Sequence, residues 1–111
     1  MFEQYIRSGR ETLNHLRNYR EIANSVKEIV RERYGEARVY AFGSVVEGKF
    51  TASSDIDILI VSDSIGREEG SFLKADILRR IGYSVPLQIH VATHRELTEW
   101  YLRFVGKIEE L

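Results

Sequence analysis

The sequence predicts an α+β domain with α/β-type alternation, in which helices flank a small mixed sheet of three to four strands. Three observations carry that expectation. Stretches with helical spacing of apolar residues alternate with short β-branched runs. The run Ile56–Val61 is almost wholly aliphatic, the composition of a buried strand. The eight glycines and single proline fall between the periodic stretches.

From Glu11 to Tyr34, apolar residues recur at Leu13, Leu16, Tyr19, Ile22, Val26, Ile29 and Val30, with Arg, Glu and Lys on the other face. That spacing predicts a helix stopped near Gly35. Phe2, Tyr5 and Ile6 precede it as a separate short helix or as an early turn of the same one, with Ser8-Gly9 the place for a break in the first case. Residues 37–42, ARVYAF, read as a strand ending at Gly43, and VVEGKF as a turn of helix broken at Gly48. Residues 55–62 read as a second strand, followed by a loop. Glu68–Ile81 has helical spacing at Phe72, Leu73, Ala75, Ile77, Leu78 and Ile81, closed by Gly82. Val85–Thr93 reads as a third strand, with Pro86 near its start where a missing donor is tolerable. Thr93 with Glu96 has the capping-box pattern, opening a helix whose apolar stripe runs Leu97, Trp100, Tyr101, Phe104, Val105 and Ile108.

A chain of 111 residues is one domain by length, with an N-terminal helical region over about 1–34 and a core over about 35–111. It should bury roughly 65% of the surface its unfolded chain exposes, enough for a core without staples. There are no cysteines, which removes disulfides and Cys-based metal sites and fits a reducing cytoplasm. With 16 Lys plus Arg against 17 Asp plus Glu, net charge does not indicate a nucleic-acid partner, though a local basic face stays open. The aliphatic run Ile58–Val61 is far too short for a membrane span, and the N-terminal MFEQYIRSGRE lacks the apolar core of a secretory signal. The expectation is a soluble, cytoplasmic protein.

Asp55 and Asp57 stand at the mouth of the most hydrophobic strand. Buried carboxylates cost several kcal/mol each unless compensated. Residues i and i+2 of a strand share a face, about 6.7 Å apart at Cα, so the two acids can reach inward and share divalent ions. Hard oxygen donors suit Mg²⁺ or Mn²⁺, which bind through one or two carboxylates plus substrate phosphates. An EF-hand reading fails, because Leu59 follows where a third oxygen ligand is needed. Upstream, Gly43-Ser44 ends a strand and opens a helix. Glycine permits close approach of backbone to ligand, and amide groups with a Ser hydroxyl can cradle an anion. Either half alone is common in ordinary turns and edge strands; the pair at fixed spacing is far more specific.

Gly43-Ser44, the ten residues 45–54, then Asp55-Ile56-Asp57 resembles the signature of the minimal nucleotidyltransferases of the DNA polymerase β-like superfamily. YAFGS, Gly48, SSDIDILIV and the ending THRELTEWYLRF agree with it, and the likeness spans about residues 11–111. The resemblance implies the polymerase β-like nucleotidyltransferase fold and transfer of a nucleotidyl group, AMP from ATP in the first instance, with release of pyrophosphate. It implies that Gly43 and Ser44 hold the β/γ-phosphates and that Asp55 and Asp57 are the catalytic metal ligands for two Mg²⁺ or Mn²⁺ ions. It also implies a third carboxylate on the neighbouring strand, which helps hold the metal and draws the proton from the attacking hydroxyl.

Here the chain departs from the pattern. In PLQIHVAT, alternation puts Gln88 and His90 on one face, so the third-acid position falls on Gln88, with His90 the second choice. Neither is a carboxylate, and glutamine carries no charge and cannot act as a base near pH 7. His90 could serve as base or ligand; a strand histidine hydrogen-bonded beside the cleft is the simpler reading. Lys49 could touch a phosphate but reads more simply as an exposed loop lysine. His15, His94, Asp63 and Asp76 carry no assignment, and Trp100, Tyr101 and Phe104 read as packing or interface rather than base stacking. Two functions follow from the resemblance. One is an active transferase whose acceptor is a protein, RNA or small molecule, recognised with help from a partner or a second copy of the chain in a homo-oligomer. The other is an antitoxin-like subunit that binds an all-helical HEPN-type partner with weakened or no catalysis, the reading that Gln88 favours.

Overall fold

The computed structural model describes residues 2–111, with side chains described for Ile6 and residues 8–111. Met1 and the apolar roles expected of Phe2 and Tyr5 lie outside what is described. Helix α1 spans Phe2–Arg17 and α2 spans Tyr19–Arg31. Strand β1 (Arg38–Phe42) leads into the short helix α3 (Ser44–Glu47), then β2 (Ile56–Val61), α4 (Arg67–Ile81) and β3 (Leu87–Ala92). A composite helix follows: α5 (His94–Glu96), a π-helical turn over Leu97–Tyr101, and α6 (Leu102–Phe104). Strand β4 (Ile108–Glu110) ends the chain's regular structure.

The sheet has four strands in the order β3-β2-β1-β4. It is mixed, as the alternation implied: β2 runs parallel to β3, while β1 is antiparallel to both β2 and β4. Among the described residues, no helix is long and apolar enough to cross a membrane.

Strand pleating sends alternate residues to opposite faces. On one face, Val39, Ala41, Ile56, Ile58, Ile60 and Ile89 pack against Ala23, Val26 and Val30 of α2 and Leu73 and Ile77 of α4. That is the larger core. On the other face Tyr40, Leu59, Val61 and Ala92 pack beneath Leu97 of the composite helix, with Phe42, Tyr101 and Ile108 at the margin. Because both faces of β2 are covered, its sequence is a continuous aliphatic run broken only at Asp57. The capping box forms as its sequence pattern suggests: Glu96 N–H donates to Thr93 Oγ1 at 3.1 Å, and Thr93 N–H donates to the Glu96 carboxylate at 3.0 Å.

Two expectations fail. The helix break falls at Asn18, within the span expected as one helix, and not at Ser8-Gly9, which lie inside α1. Asn18 donates from Nδ2 to the Asn14 carbonyl at 3.0 Å, an acceptor it shares with its own N–H at 3.1 Å, and such side-chain bonding to the preceding turn bends a helix. The C-terminal helix, expected to carry its stripe through Ile108, stops at Phe104. Val105 turns extended (φ −90°, ψ 138°), and residues 108–110 become β4 on the edge of β1.

The reason lies in the partners that the strand finds. Glu109 faces α2, where Arg20 donates to it at 2.7 and 3.0 Å and the Tyr19 hydroxyl at 3.3 Å. Glu110 faces the other way and takes two bonds from Arg38 at 2.6 and 2.7 Å. Lys27 caps the strand by donating to the Leu111 carbonyl at 2.7 Å. The Arg20 and Arg38 guanidinium groups hold the Glu109 and Glu110 carboxyls below their ordinary range.

Candidate functional site

The candidate site lies where β1 ends. Gly43 has φ 83° and ψ −158°, a conformation that a residue with a side chain adopts only under strain. A Cβ at Gly43 would also meet the Asp57 carboxylate and displace its oxygen, so the backbone angle favours glycine and the absent side chain leaves that carboxylate where it is. Its carbonyl accepts from Val46 and Glu47 N–H at 3.1 and 3.2 Å, which turns the chain into α3. Val45 and Val46 are buried and pin that turn to the sheet. At the start of a helix the first amides have no intrahelical acceptor, so those of Ser44 and Val45 are left to face a ligand or solvent. Gly48, at φ 73° in the left-handed region, ends α3.

Asp57 is the second residue of β2. In register it lies between Phe42 of β1 and Gln88 of β3. Its side chain is 25% exposed, so it opens to solvent while resting on the smaller core. Asp55, expected inside the strand, precedes it by one residue and is exposed. Among the described residues, neither acid has a Lys or Arg partner within ion-pair distance; the sole charged-type neighbour is His90, whose Nε2 lies 3.7 Å from Asp57 Oδ1.

Gln88 is exposed and makes no hydrogen bond to Asp57 among the described residues. His90 shares the face and sits deeper. Its ring centroid is 5.3 Å from that of Phe42 and 6.4 Å from that of Tyr101, and Phe42 and Tyr101 stand 6.1 Å apart edge to face. The three rings form an aromatic shelf behind the Asp57 carboxylate. Burial, with a smaller push from Glu96, raises the Tyr101 hydroxyl above its ordinary range, so it stays protonated at neutral pH.

Strand alternation put His90 on the face of Gln88, as the second choice for the third-acid position; Phe42 was missed, and the β1–β2 register that pairs it with Asp57 reveals it. Tyr101 had no such signal, because its approach depends on the π-helical turn. Lys49 is exposed in the loop after Gly48, and Trp100 and Phe104 stack on each other, 4.6 Å between centroids, out on the surface. Asp63 and Asp76 have structural roles. Asp63 accepts from the His94 N–H at 3.0 Å and meets His94 Nδ1 at 3.1 Å, which ties the loop after β2 to the start of α5. Asp76 pairs with Arg79 on α4. Among the described residues, no three carboxylate or imidazole groups converge into a self-sufficient metal cage.

Comparisons with known proteins agree with this architecture. The nucleotidyltransferase domain model matches residues 23–110, a span that holds the whole sheet, Gly43-Ser44, Asp55 and Asp57. No curated protein matches the chain. A crystal structure provisionally assigned as a nucleotidyltransferase is 32% identical, with a TM-score of 0.67, over 79% of this chain and 95% of its own. Another, from Sulfolobus solfataricus and also provisionally assigned, was determined at 1.40 Å resolution; it is 25% identical with a TM-score of 0.49, over 96% of this chain and 82% of its own. With a family model covering most of its length and a solved relative of the same fold, the chain belongs to the nucleotidyltransferase domain family.

Proposed function

We propose that this protein binds a nucleoside triphosphate with divalent metal ions at the end of β1 and β2, and transfers the nucleotidyl group to an acceptor. ATP is the nucleotide and AMP the group transferred in this reading. The observation that carries it is the closeness of Gly43 to Asp57: the glycine that opens α3 packs beside the Asp57 carboxylate, and its φ of 83° favours a residue without a side chain. The donor set fits Mg²⁺ or Mn²⁺. It is made of carboxylate oxygens, half-open to solvent and without a basic partner among the described residues, and it needs phosphate oxygens to complete a shell. Asp55 and Asp57 would hold the ions, which when bound supply neutralisation of the triphosphate charge.

The chain's own groups do the rest. Ser44 Oγ and the amides at the start of α3 donate to the β- and γ-phosphate oxygens and hold the leaving pyrophosphate in line. An acceptor hydroxyl attacks the α-phosphorus and gives up its proton to solvent water, the bond from that phosphorus to the α,β-bridging oxygen breaks, and pyrophosphate departs. Catalysis of this kind is positioning and charge stabilisation more than covalent chemistry.

A second reading is favoured by Gln88. It pairs in register with Asp57, where a third carboxylate would stand, and offers no base. In that reading the protein binds nucleotide weakly and acts by binding an all-helical HEPN-type partner. Incubation with Mg²⁺, α-labelled ATP and a candidate acceptor separates the two. Label transfer that disappears in Asp55→Asn plus Asp57→Asn supports the transferase. Partner binding that survives those changes, without any transfer, supports the binding subunit.

A further inference from the structure

We propose that His90 takes the place of the missing third carboxylate as a metal ligand, and that the site therefore prefers Mn²⁺ to Mg²⁺. The inference rests on the nucleotide–metal reading above and adds to it a ligand and a metal preference.

The geometry is specific. His90 Nε2 and Asp57 Oδ1 are 3.7 Å apart, too far for a hydrogen bond. Two ligands of one ion, each about 2.1 Å from it, stand about 3.0–3.5 Å apart, so a small closing movement would let the pair share an ion. The register partner of Asp57, Gln88, is exposed and has no bond to the acid among the described residues. His90 is two residues further into the sheet and points its Nε2 at the carboxylate. Phe42 and Tyr101 flank its ring at 5.3 and 6.4 Å and limit the rotation that would take the nitrogen away. A ligand held by packing surrenders little entropy on binding.

The chemistry sets the metal preference. Mg²⁺ takes hard oxygen donors in near-ideal octahedral geometry and dehydrates reluctantly. Imidazole nitrogen is accepted more readily by first-row transition ions than by Mg²⁺, and Mn²⁺, the weakest binder of that series, is the one that also keeps the oxygen-rich coordination of a carboxylate and phosphate site. Exchanging an anionic oxygen ligand for a neutral nitrogen weakens the hold on Mg²⁺ more than the hold on Mn²⁺. With a simple aromatic filler at position 90 the ratio of Mn²⁺ to Mg²⁺ affinity would be smaller, that of an all-oxygen site.

The test uses the full chain grown with ¹⁵N-histidine, Mn²⁺ and α,β-methylene ATP, which cannot transfer its nucleotidyl group. Pulsed electron spin echo spectra of the bound Mn²⁺ should show coupling to a directly coordinated ¹⁵N. The coupling should vanish in His90→Phe, which keeps the aromatic shelf, and persist in His15→Gln and His94→Gln. Calorimetry should show Mn²⁺ bound more tightly than Mg²⁺, with that ratio falling about tenfold in His90→Phe, the lower end of the losses seen even for groups that only support a metal ligand. Circular dichroism melting confirms that the variant is folded; His90→Gln repeats the measurement if it is not. Mn²⁺ bound with the nucleotide but without ¹⁵N coupling overturns the His90 ligand and leaves the nucleotide site standing. Failure of Mn²⁺ and the analogue to bind, or binding indifferent to Asp57→Asn, overturns both.

Discussion

The two faces of the sheet use the same strands for opposite ends. The face under α2 and α4 is apolar across β1, β2 and β3 and turns polar only at Glu109 of β4, and Ile56, Ile58 and Ile60 of β2 are fully buried there. The face under the composite helix is graded. Leu59 and Val61 are fully buried, but one step toward the start of β2 the same row reaches Asp57 and, beside it, His90, both partly open. A strand that alternates between such faces packs every even residue into the larger core, while its odd row runs from core at Leu59 and Val61 to the open carboxylate of Asp57. The lesson is that the aliphatic run does not bury the acids; it holds them at the edge where burial stops.

If the division holds, substitutions on the two faces should separate stability from function. The largest effect on stability is expected from Ile58→Ala. It removes a fully buried side chain from the closed face, at a cost of about 2–5 kcal/mol in denaturant unfolding. Nucleotide affinity of the molecules that remain folded should be unchanged. Gly43→Ala sits at the junction. It adds a side chain at φ 83° against Asp57, so stability should fall by about 1–3 kcal/mol. Unlike Ile58→Ala, it should also weaken Mg-ATP binding per folded molecule, measured calorimetrically. Equal affinity in the two variants would mean that the faces are not divided as described.

Gln88→Glu sharpens the comparison from the open face. It sets a carboxylate opposite Asp57 and should raise Mg²⁺-supported label transfer by about tenfold, in line with the roughly 10²-fold or larger effects of single charge-stabilising groups. Melting temperature should hardly move, because Gln88 is exposed.

The smallest effect concerns β4, where ion pairs anchor the sheet on both faces. The folded-state carboxyls of Glu109 and Glu110 lie below their ordinary value of 4.5, held there first by hydrogen bonds from Arg20 and Arg38. Groups lowered in this way stabilise the fold above their unfolded pKa, and that contribution is lost as pH falls through the folded pKa. Melting temperature should therefore decline as pH drops below about 4.5. Glu32 and Asp76, held low by Arg80 and Arg79, add to the decline. Arg20→Ala plus Arg38→Ala should make the decline shallower, modestly so because these arginines are largely exposed. A decline as steep as the parent's would remove the anchoring role.

Local signals were enough for much of this. Helical spacing marked the buried residues of α2, the aliphatic run marked β2, and the glycine and aspartate motif falls at the ends of β1 and β2. What could not be read depends on where distant segments meet. Ile108-Glu109-Glu110 has no strand signature; its conformation is set by the free edge of β1 and by Arg20 and Arg38, residues far away in sequence. The approach of His90 to Asp57 depends on the parallel register that places Gln88 opposite Asp57, and no periodicity encodes a register between strands separated by a helix. Phe72 shows the opposite error. It has helical spacing with Leu73 and Ile77, yet it is 65% exposed because α4 buries a narrower stripe, centred on Gly70, Leu73 and Ile77.

The clasp between Arg20 and Glu109 joins residues 89 positions apart. During synthesis α2 emerges long before its partner strand exists, and β1 meanwhile offers an open edge to any extended chain nearby. Exposed edges of this kind are where partly made proteins associate wrongly. That vulnerable interval closes only when residues 108–110 leave the ribosome and cover β1. A stalled or truncated product lacking them would carry a complete glycine and aspartate motif on a sheet still able to recruit a foreign strand.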